Sequence, residues 1–329
     1  MENADRLSAI TGRLQQDQLW DELVEIPFER ASPELIATVH EPSYIEDVRL
    51  LSETGGGDLD PDTAVTTDTW QAALSAAGGA VAAVQTVLSA RVQNAICLLR
   101  PPGHHAMPDR GMGFCIFNSV AIAAEYALAH HGLERVAVVD FDVHHGNGTE
   151  AVFVDRRDVL CASVHQQPLY PGTGAFTDVG SGEGQGYTIN CPLPPGASDA
   201  HFLRCFDEII IPTLQEIYRP ELILVSAGYD GYQGDPLAQL NLTANCFHTL
   251  TERLVSVAQA VCNGRLILML EGGYNLDALG LCVENSVLAL LGRLPLHPEP
   301  AISGHHRPQA RDIDAQVEQM LQFHHARMT

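Results

Sequence analysis

The feature that most constrains this chain is its alternation of short apolar runs with longer helical stretches. The runs Val24–Phe28, Ala95–Leu99, Val136–Asp140, Val159–Val164, Thr188–Cys191, Leu222–Ala227 and Leu266–Leu270 read as strands. Most are unbroken rather than alternating, as strands covered on both faces require. Between them the spacing predicts helices near Trp70–Arg91, Asn118–His131, Asp199–Tyr218, Ala244–Val261 and Leu276–Leu291. Such strand–helix alternation gives an α/β fold around a parallel sheet. With 329 residues and no internal repeat or long linker, one domain over residues 1–329 is the economical arrangement. Gly55–Asp62 reads as a flexible loop, Leu193–Ser198 as a turn, and Asp312–Arg327 as a polar terminal helix.

Hydrophobic residues make up 46% of the chain, enough for a sizeable core. No run of eighteen or more apolar residues reads as a membrane span, and the acidic start MENADRLSAI does not read as a secretory signal, so the cytoplasm is the expected location. Cys97, Cys115, Cys161, Cys191, Cys205, Cys246, Cys262 and Cys282 stand singly in apolar patterns, as reduced, buried thiols do. With no C-x-x-C pair, a thiolate zinc site drops out. The net charge of −23 argues against binding nucleic acid and is compatible with cationic substrates. Lysine is absent, which excludes Schiff-base chemistry by a side-chain amine.

In parallel α/β sheets, ligands bind beyond the carboxyl ends of the strands. After Ala95–Leu99 the chain reads RPPGHH, with His104 and His105 adjacent on a loop. After Val136–Asp140 comes DFDVHHGNGTE, in which Asp140, Asp142 and His144 alternate, so an extended chain points them to one side. After Leu222–Ala227 comes GYDGYQGDP with Asp230, and after Leu266–Leu270 comes EGGYN with Tyr274. One buried aspartate or core histidine is unremarkable, but four such strand ends are hard to explain by packing, since unpaired buried carboxylates are costly. A bound cation gives Asp142, His144 and Asp230 a reason to converge, with a coordination position left open, as in a catalytic site. Such an ion polarises a carbonyl and acidifies water. His104 and His105 supply a base and an acid, and Tyr274 a donor for the oxyanion. These are the parts of an amide hydrolase. There is no G-x-S-x-G and no Walker-type loop.

In RPPGHH, GFCIFN, DFDVHHGNGTE, PGTG, SAGYDGYQGDPL and LEGGYNL, the sequence resembles the histone deacetylase family from about Asp5 to Leu291. The resemblance implies an arginase-like three-layer fold with a mainly parallel eight-stranded sheet. It implies zinc on Asp142, His144 and Asp230, although iron(II) suits the same ligands. It makes His105 the general base and His104 its partner, oriented by Asn147 and Asp140 respectively. An asparagine at position 147 is similar to the class II branch. Tyr274 matches the transition-state tyrosine. Gly113, Phe114 and Tyr170 match the acyl-lysine tunnel, with Leu237 and Gly273 also on the substrate side. Leucine at 237, where polyamine-specific vertebrate relatives carry a glutamate, weakens a polyamine reading, and acetylated lysine is the favoured substrate over acetylpolyamines. Arg6 aligns with an arginine of the inner channel, and Ser163 with Asp140–His144 resembles a structural potassium site. Asp60 or Asp62 would be the carboxylate of the substrate rim, and Cys115 is expected to pack rather than react. His305, His306, His324 and His325 read as a solvated tail.

One departure carries an expectation. The family has a strand before the segment matching ENADRLSAI, normally beside the Ala95–Leu99 strand. Seven candidate strands are counted here, and a start recorded too late is the expected reason. Two other functions fit less well. An arginase-like two-metal hydrolase needs carboxylates that DVHHGNG and DGYQGDP lack, and a non-catalytic acetyl-ligand binder needs neither a base nor Tyr274.

Overall fold

The structure, a computed structural model, describes residues 1–299 and 310–328. Its strands are β1 (Gly57–Asp60), β2 (Thr63–Val65), β3 (Asn94–Cys97), β4 (Val136–Asp140), β5 (Val159–Gln166), β6 (Thr188–Leu193), β7 (Leu222–Ala227) and β8 (Leu266–Leu270). Its α-helices are α1 (Asp5–Gln16), α2 (Pro33–Ile36), α3 (Pro42–Glu53), α4 (Thr69–Leu88), α5 (Ser119–His131), α6 (Asn147–Phe153), α7 (Asp199–Cys205), α8 (Ala244–Cys262), α9 (Leu276–Leu290) and α10 (Ala310–Met328). Past α7 the helical path continues through two widened, π-type stretches, Phe206–Ile210 and Thr213–Tyr218.

The central sheet has six parallel strands in the order β3-β8-β7-β4-β5-β6. Side chains alternate across it. Ala137, Val139, Ile223 and Val225 enter one core with residues of α1, α8, α9 and α10, while Val136, Val138, Leu222 and Leu224 enter a second core with α3, α4 and α5. Both faces of β4 and β7 are thus covered, which accounts for their unbroken apolar sequences. Helix α4 is long and apolar enough to cross a membrane, yet 67% of its apolar window is buried inside the domain. It is the central helix of the second core.

Four expectations need correction. Val24–Phe28 is irregular: Pro27 offers no N–H to a ladder, Glu25 interrupts the apolar run, and Val24 and Phe28 remain exposed. Gly55–Asp62 is not a plain loop, because it supplies β1 of a small antiparallel hairpin with β2. The hairpin is pinned from below, where Phe114 N–H donates to Thr63 Oγ1 at 3.0 Å. The central sheet holds six strands among the described residues rather than the seven candidates of the sequence, and there β3 pairs only with β8. Beside its other edge runs a groove of about 480 Å³ bordered by Trp20–Phe28, Gly79 and Ala83 of α4, and the end of α9. Finally, α10 is amphipathic rather than polar. Ile313, Val317, Met320 and Leu321 are buried at helical spacing, and His324 is buried with Nε2 2.9 Å from the Asn190 carbonyl. His305 and His306 lie outside the described residues.

Candidate active site

Each of the four strand ends delivers its side chains to one place. Asp142, His144 and Asp230 present ligand atoms within 4.8 Å of one another, all buried or nearly so. His144 Nδ1 lies 3.1 Å from Asp142 Oδ1 and 3.1 Å from Asp230 Oδ2. One ring nitrogen carries at most one proton and cannot serve two carboxylates well. Three donors around a shared centre are instead what a divalent ion with nitrogen and oxygen ligands asks for. The remaining carboxylate oxygens are held by the backbone: Asp142 Oδ2 accepts from Gly272 N–H at 2.7 Å, and Asp230 Oδ1 from Val143 N–H at 3.0 Å. Burial alone would push the His144 imidazole down, but the two carboxylates outweigh it and hold it up to about 10. The centre therefore favours positive charge.

Two glycines make room for this cluster. A Cβ at Gly228 would overlap the Asp142 carboxylate, and one at Gly272 would overlap that of Asp230. The sequences AGYD and EGGYN need glycine there because backbone and carboxylate pack in direct contact.

The paired histidines take different roles from different partners. His104 Nδ1–H donates to Asp140 Oδ2 at 3.0 Å, and His105 Nδ1–H to Asn147 Oδ1 at 2.8 Å. Burial acts to depress both. For His104 the charges of Asp142, Asp140 and Glu271 outweigh burial and raise it well above the ordinary histidine range. For His105 the charges of His104 and His144 add to burial, and it falls well below that range. Asn147 orients the ring without adding a negative charge, so His105 stays neutral with Nε2 as its acceptor. Two titratable groups pushed apart in this way mark an acid and a base.

A cavity of about 200 Å³ opens over the histidines, with Phe114, Tyr170, Leu237, Tyr274 and Asp62 on its wall. The Tyr170 ring stands edge-on to His105 at 5.1 Å, and Phe114 meets Tyr274 at 5.7 Å. Burial raises the Tyr274 phenol well above its usual value, so it remains a donor. Gly113 also borders the cavity and donates its N–H to Asp62 Oδ1 at 3.2 Å. Of the two rim candidates, Asp62 lines the opening and Asp60 does not. Gly273 is a correction: Gly272 borders the cavity, whereas the Gly273 carbonyl turns away to accept from Arg6 Nε at 2.8 Å. Arg6 is fully buried, donates also to the Glu271 carbonyl, and stacks over the Tyr274 ring at 5.0 Å. Cys115 is buried, and its Sγ accepts from His105 N–H at 3.4 Å, so it packs as expected. Ser163 Oγ meets His165 Nδ1 at 2.9 Å and is the register partner of Asp140.

Three supporting residues were not singled out from the sequence. Glu271 Oε2 accepts from Gly103 and His104 N–H at 2.7 and 3.2 Å, fixing the loop that carries the histidines. His40 bridges Met107 and Asn118 across that loop's far side: Nδ1–H donates to the Met107 carbonyl at 2.9 Å, and Nε2 accepts from Asn118 N–H at 2.8 Å. Asp235 gathers amides from both sides of the cavity. For Glu271 a signal existed, since a carboxylate directly follows a buried strand; for His40 there was none.

Residues 1–290 match the histone deacetylase domain family. "Histone deacetylase 14, chloroplastic" of Arabidopsis thaliana is 41% identical over 316 residues, covering 89% of this chain and 73% of that protein. "Polyamine deacetylase HDAC10" of Homo sapiens is 38% identical over 92% of this chain, which spans 46% of the human protein. The crystal structure of the HDA15 HD domain superposes with a TM-score of 0.86 at 31% identity, covering 98% of this chain and 88% of that one. Fold and site together define a hydrolase of the deacetylase class. The chain belongs to the histone deacetylase family.

Proposed function

We propose that this protein is a zinc-dependent deacetylase that hydrolyses the amide of N-acetylated amines, foremost acetyl-lysine side chains of proteins. The observation that carries the reading is His144 Nδ1 at 3.1 Å from both Asp142 Oδ1 and Asp230 Oδ2, beside a neutral His105. Asp142, His144 and Asp230 would hold the zinc, which supplies carbonyl polarisation and acidification of water. His105 accepts the proton of the attacking water at Nε2. His104, kept protonated by the charges of Asp142, Asp140 and Glu271, gives a proton to the departing amine. Tyr274 donates its phenol O–H to the oxyanion that develops on the acetyl group. Phe114 and Tyr170 flank the alkyl chain and keep bulk water from the amide, while Leu237 offers an apolar rim. A structural potassium ion belongs to the same reading, beside Asp140 and Ser163, where a cavity of about 10 Å³ also touches Glu150 and Asn190.

An acetylpolyamine is the second reading. It is favoured by Asp62 at the mouth, next to Asp60, where a carboxylate would meet a second amine of the substrate. The deciding experiment compares an acetyl-lysine peptide with acetylspermidine and acetylputrescine in the presence of zinc, with His105→Ala as the blank. Preferential turnover of the peptide supports the first reading, and preference for an acetylpolyamine moves the assignment to the second. Turnover no faster than the blank on all three overturns both and leaves a binding role.

A further inference from the structure

Asp235 lies in the turn after β7, outside the set of proposed metal ligands, and is 7% exposed. Both of its carboxylate oxygens are committed. Oδ2 accepts from Tyr274 N–H at 2.7 Å and from Asn275 N–H at 3.2 Å. Oδ1 accepts from Leu237 N–H at 2.9 Å. Tyr274 and Leu237 are on the wall of the same cavity. A second tie runs parallel, from Asn275 Nδ2 to the Gly234 carbonyl at 2.8 Å, while Asn275 Oδ1 caps α9 through Ala278 N–H.

We infer that Asp235 is a positioning residue that fixes the Tyr274 phenol against the reacting carbonyl and locks the Leu237 rim to the same frame. The inference rests on the deacetylase reading. A carboxylate accepts at both oxygens and donates at neither, so it can hold amides from two segments at once. An amide side chain of the same shape cannot. In Asp235→Asn one end still accepts, but the other turns an N–H₂ toward a backbone N–H. Either the Tyr274–Asn275 pair or Leu237 is released. Tyr274 follows two glycines, which add little stiffness of their own, so release at that end displaces the phenol. Rim and tyrosine therefore keep one fixed spacing, which selects the length of substrate between mouth and carbonyl.

The test is a double-mutant cycle on the zinc-loaded, full-length protein. A displacement of about 1 Å at a reacting group costs on the order of 10²-fold, so Asp235→Asn is expected to lower kcat by about 10- to 100-fold with metal content unchanged. In the Tyr274→Phe background the same change should cost less than about two-fold, because the group it positions is gone. Amide hydrogen exchange at Tyr274 and Asn275 should accelerate in Asp235→Asn, with the sheet amides unaffected. Full multiplicative loss in both backgrounds, or unchanged exchange at those two amides, overturns the positioning role while leaving the deacetylase reading intact. A wild-type protein without turnover overturns that reading first, and this one with it.

Discussion

Strands β4 and β3 are both short, apolar and parallel, yet they end in different circumstances. β4 is paired on both sides, by β5 and β7, and its two faces fill two cores. Its carboxyl end carries Asp140, Asp142 and His144 into a centre where each carboxylate has a backbone donor. Among the described residues β3 is paired on one side only and borders an apolar groove on the other. The histidines that follow it gain their order elsewhere, from Glu271 at the end of β8, from Asp140 and Asn147, and from His40 on the far side of the loop. Precision at a strand end therefore does not require a strand held on both edges. It can be imported from neighbours, provided their donors and acceptors converge.

The comparison can be broken most severely at the β4 end. Asp142→Ala removes one proposed ligand and leaves His144 facing a single carboxylate, so bound zinc should fall from about one per chain to near zero, with deacetylation lost. Elemental analysis and an activity assay read both, and zinc retained at full stoichiometry would place the ion elsewhere. Tyr274→Phe should keep the metal and lose about 10²–10³-fold in turnover, since one oxyanion donor is removed. The same protein in single-turnover kinetics should bind substrate nearly as before.

Stability should divide along the same line. Leu224 of β7 is fully buried, and Leu224→Ala is expected to cost about 2–5 kcal/mol by denaturant unfolding. His40 gives a smaller, pH-dependent effect. Burial holds its folded pKa down to about 4, below the ordinary 6.5, with its backbone bonds to Met107 and Pro108 pulling only partly the other way. The unfolded chain takes up the proton first as pH falls, so this contribution is complete above 6.5 and is lost between 6.5 and about 4. Between pH 7 and 5 the loss should be about 2 kcal/mol more in wild type than in His40→Gln. An identical pH dependence in the two proteins would remove His40 from the account. The smallest effect belongs to the groove beside β3: Phe28→Ala, on a half-exposed side chain, should change stability by no more than about 0.5 kcal/mol. A larger loss would mean that the groove is covered in solution.

What was legible in the sequence follows the same division. The six central strands and the four loaded strand ends could be read because parallel strands announce themselves by unbroken apolar runs, and Asp140, Asp142 and His144 by their alternation. Val24–Phe28 has the composition of a strand, but a strand is made by its partner, and Pro27 spoils the pairing edge. The buried face of α10 could have been found from the spacing of Ile313, Val317, Met320 and Leu321, which the surrounding charges and glutamines obscured. Glu271 and Asp235 stood in the motifs without a role, because each acts on backbone amides, those of Glu271 at 167 and 168 residues away in sequence, and amides leave no trace in residue type. For Asp235 the nearer partners, at 2 and 39 residues, are equally silent.

The contact between Gly272 N–H and Asp142 Oδ2, 130 residues apart, also bears on how the molecule comes together. Apart from the local Asp142–His144 pair, the contacts that define the centre join segments distant along the chain, such as Asp230 with His144 at a separation of 86. Closing such loops is slow, and it must precede the contacts that reward it. Local helices such as α4 and α8 can form before the sheet is complete, but the Asp142–His144–Asp230 centre cannot exist until β4, β7 and β8 lie side by side. Partly folded chains therefore lack the assembled cluster, and an ion bound there, as proposed, would stabilise only the finished native state. The contacts on which the chemistry depends are thus among the most non-local in the fold.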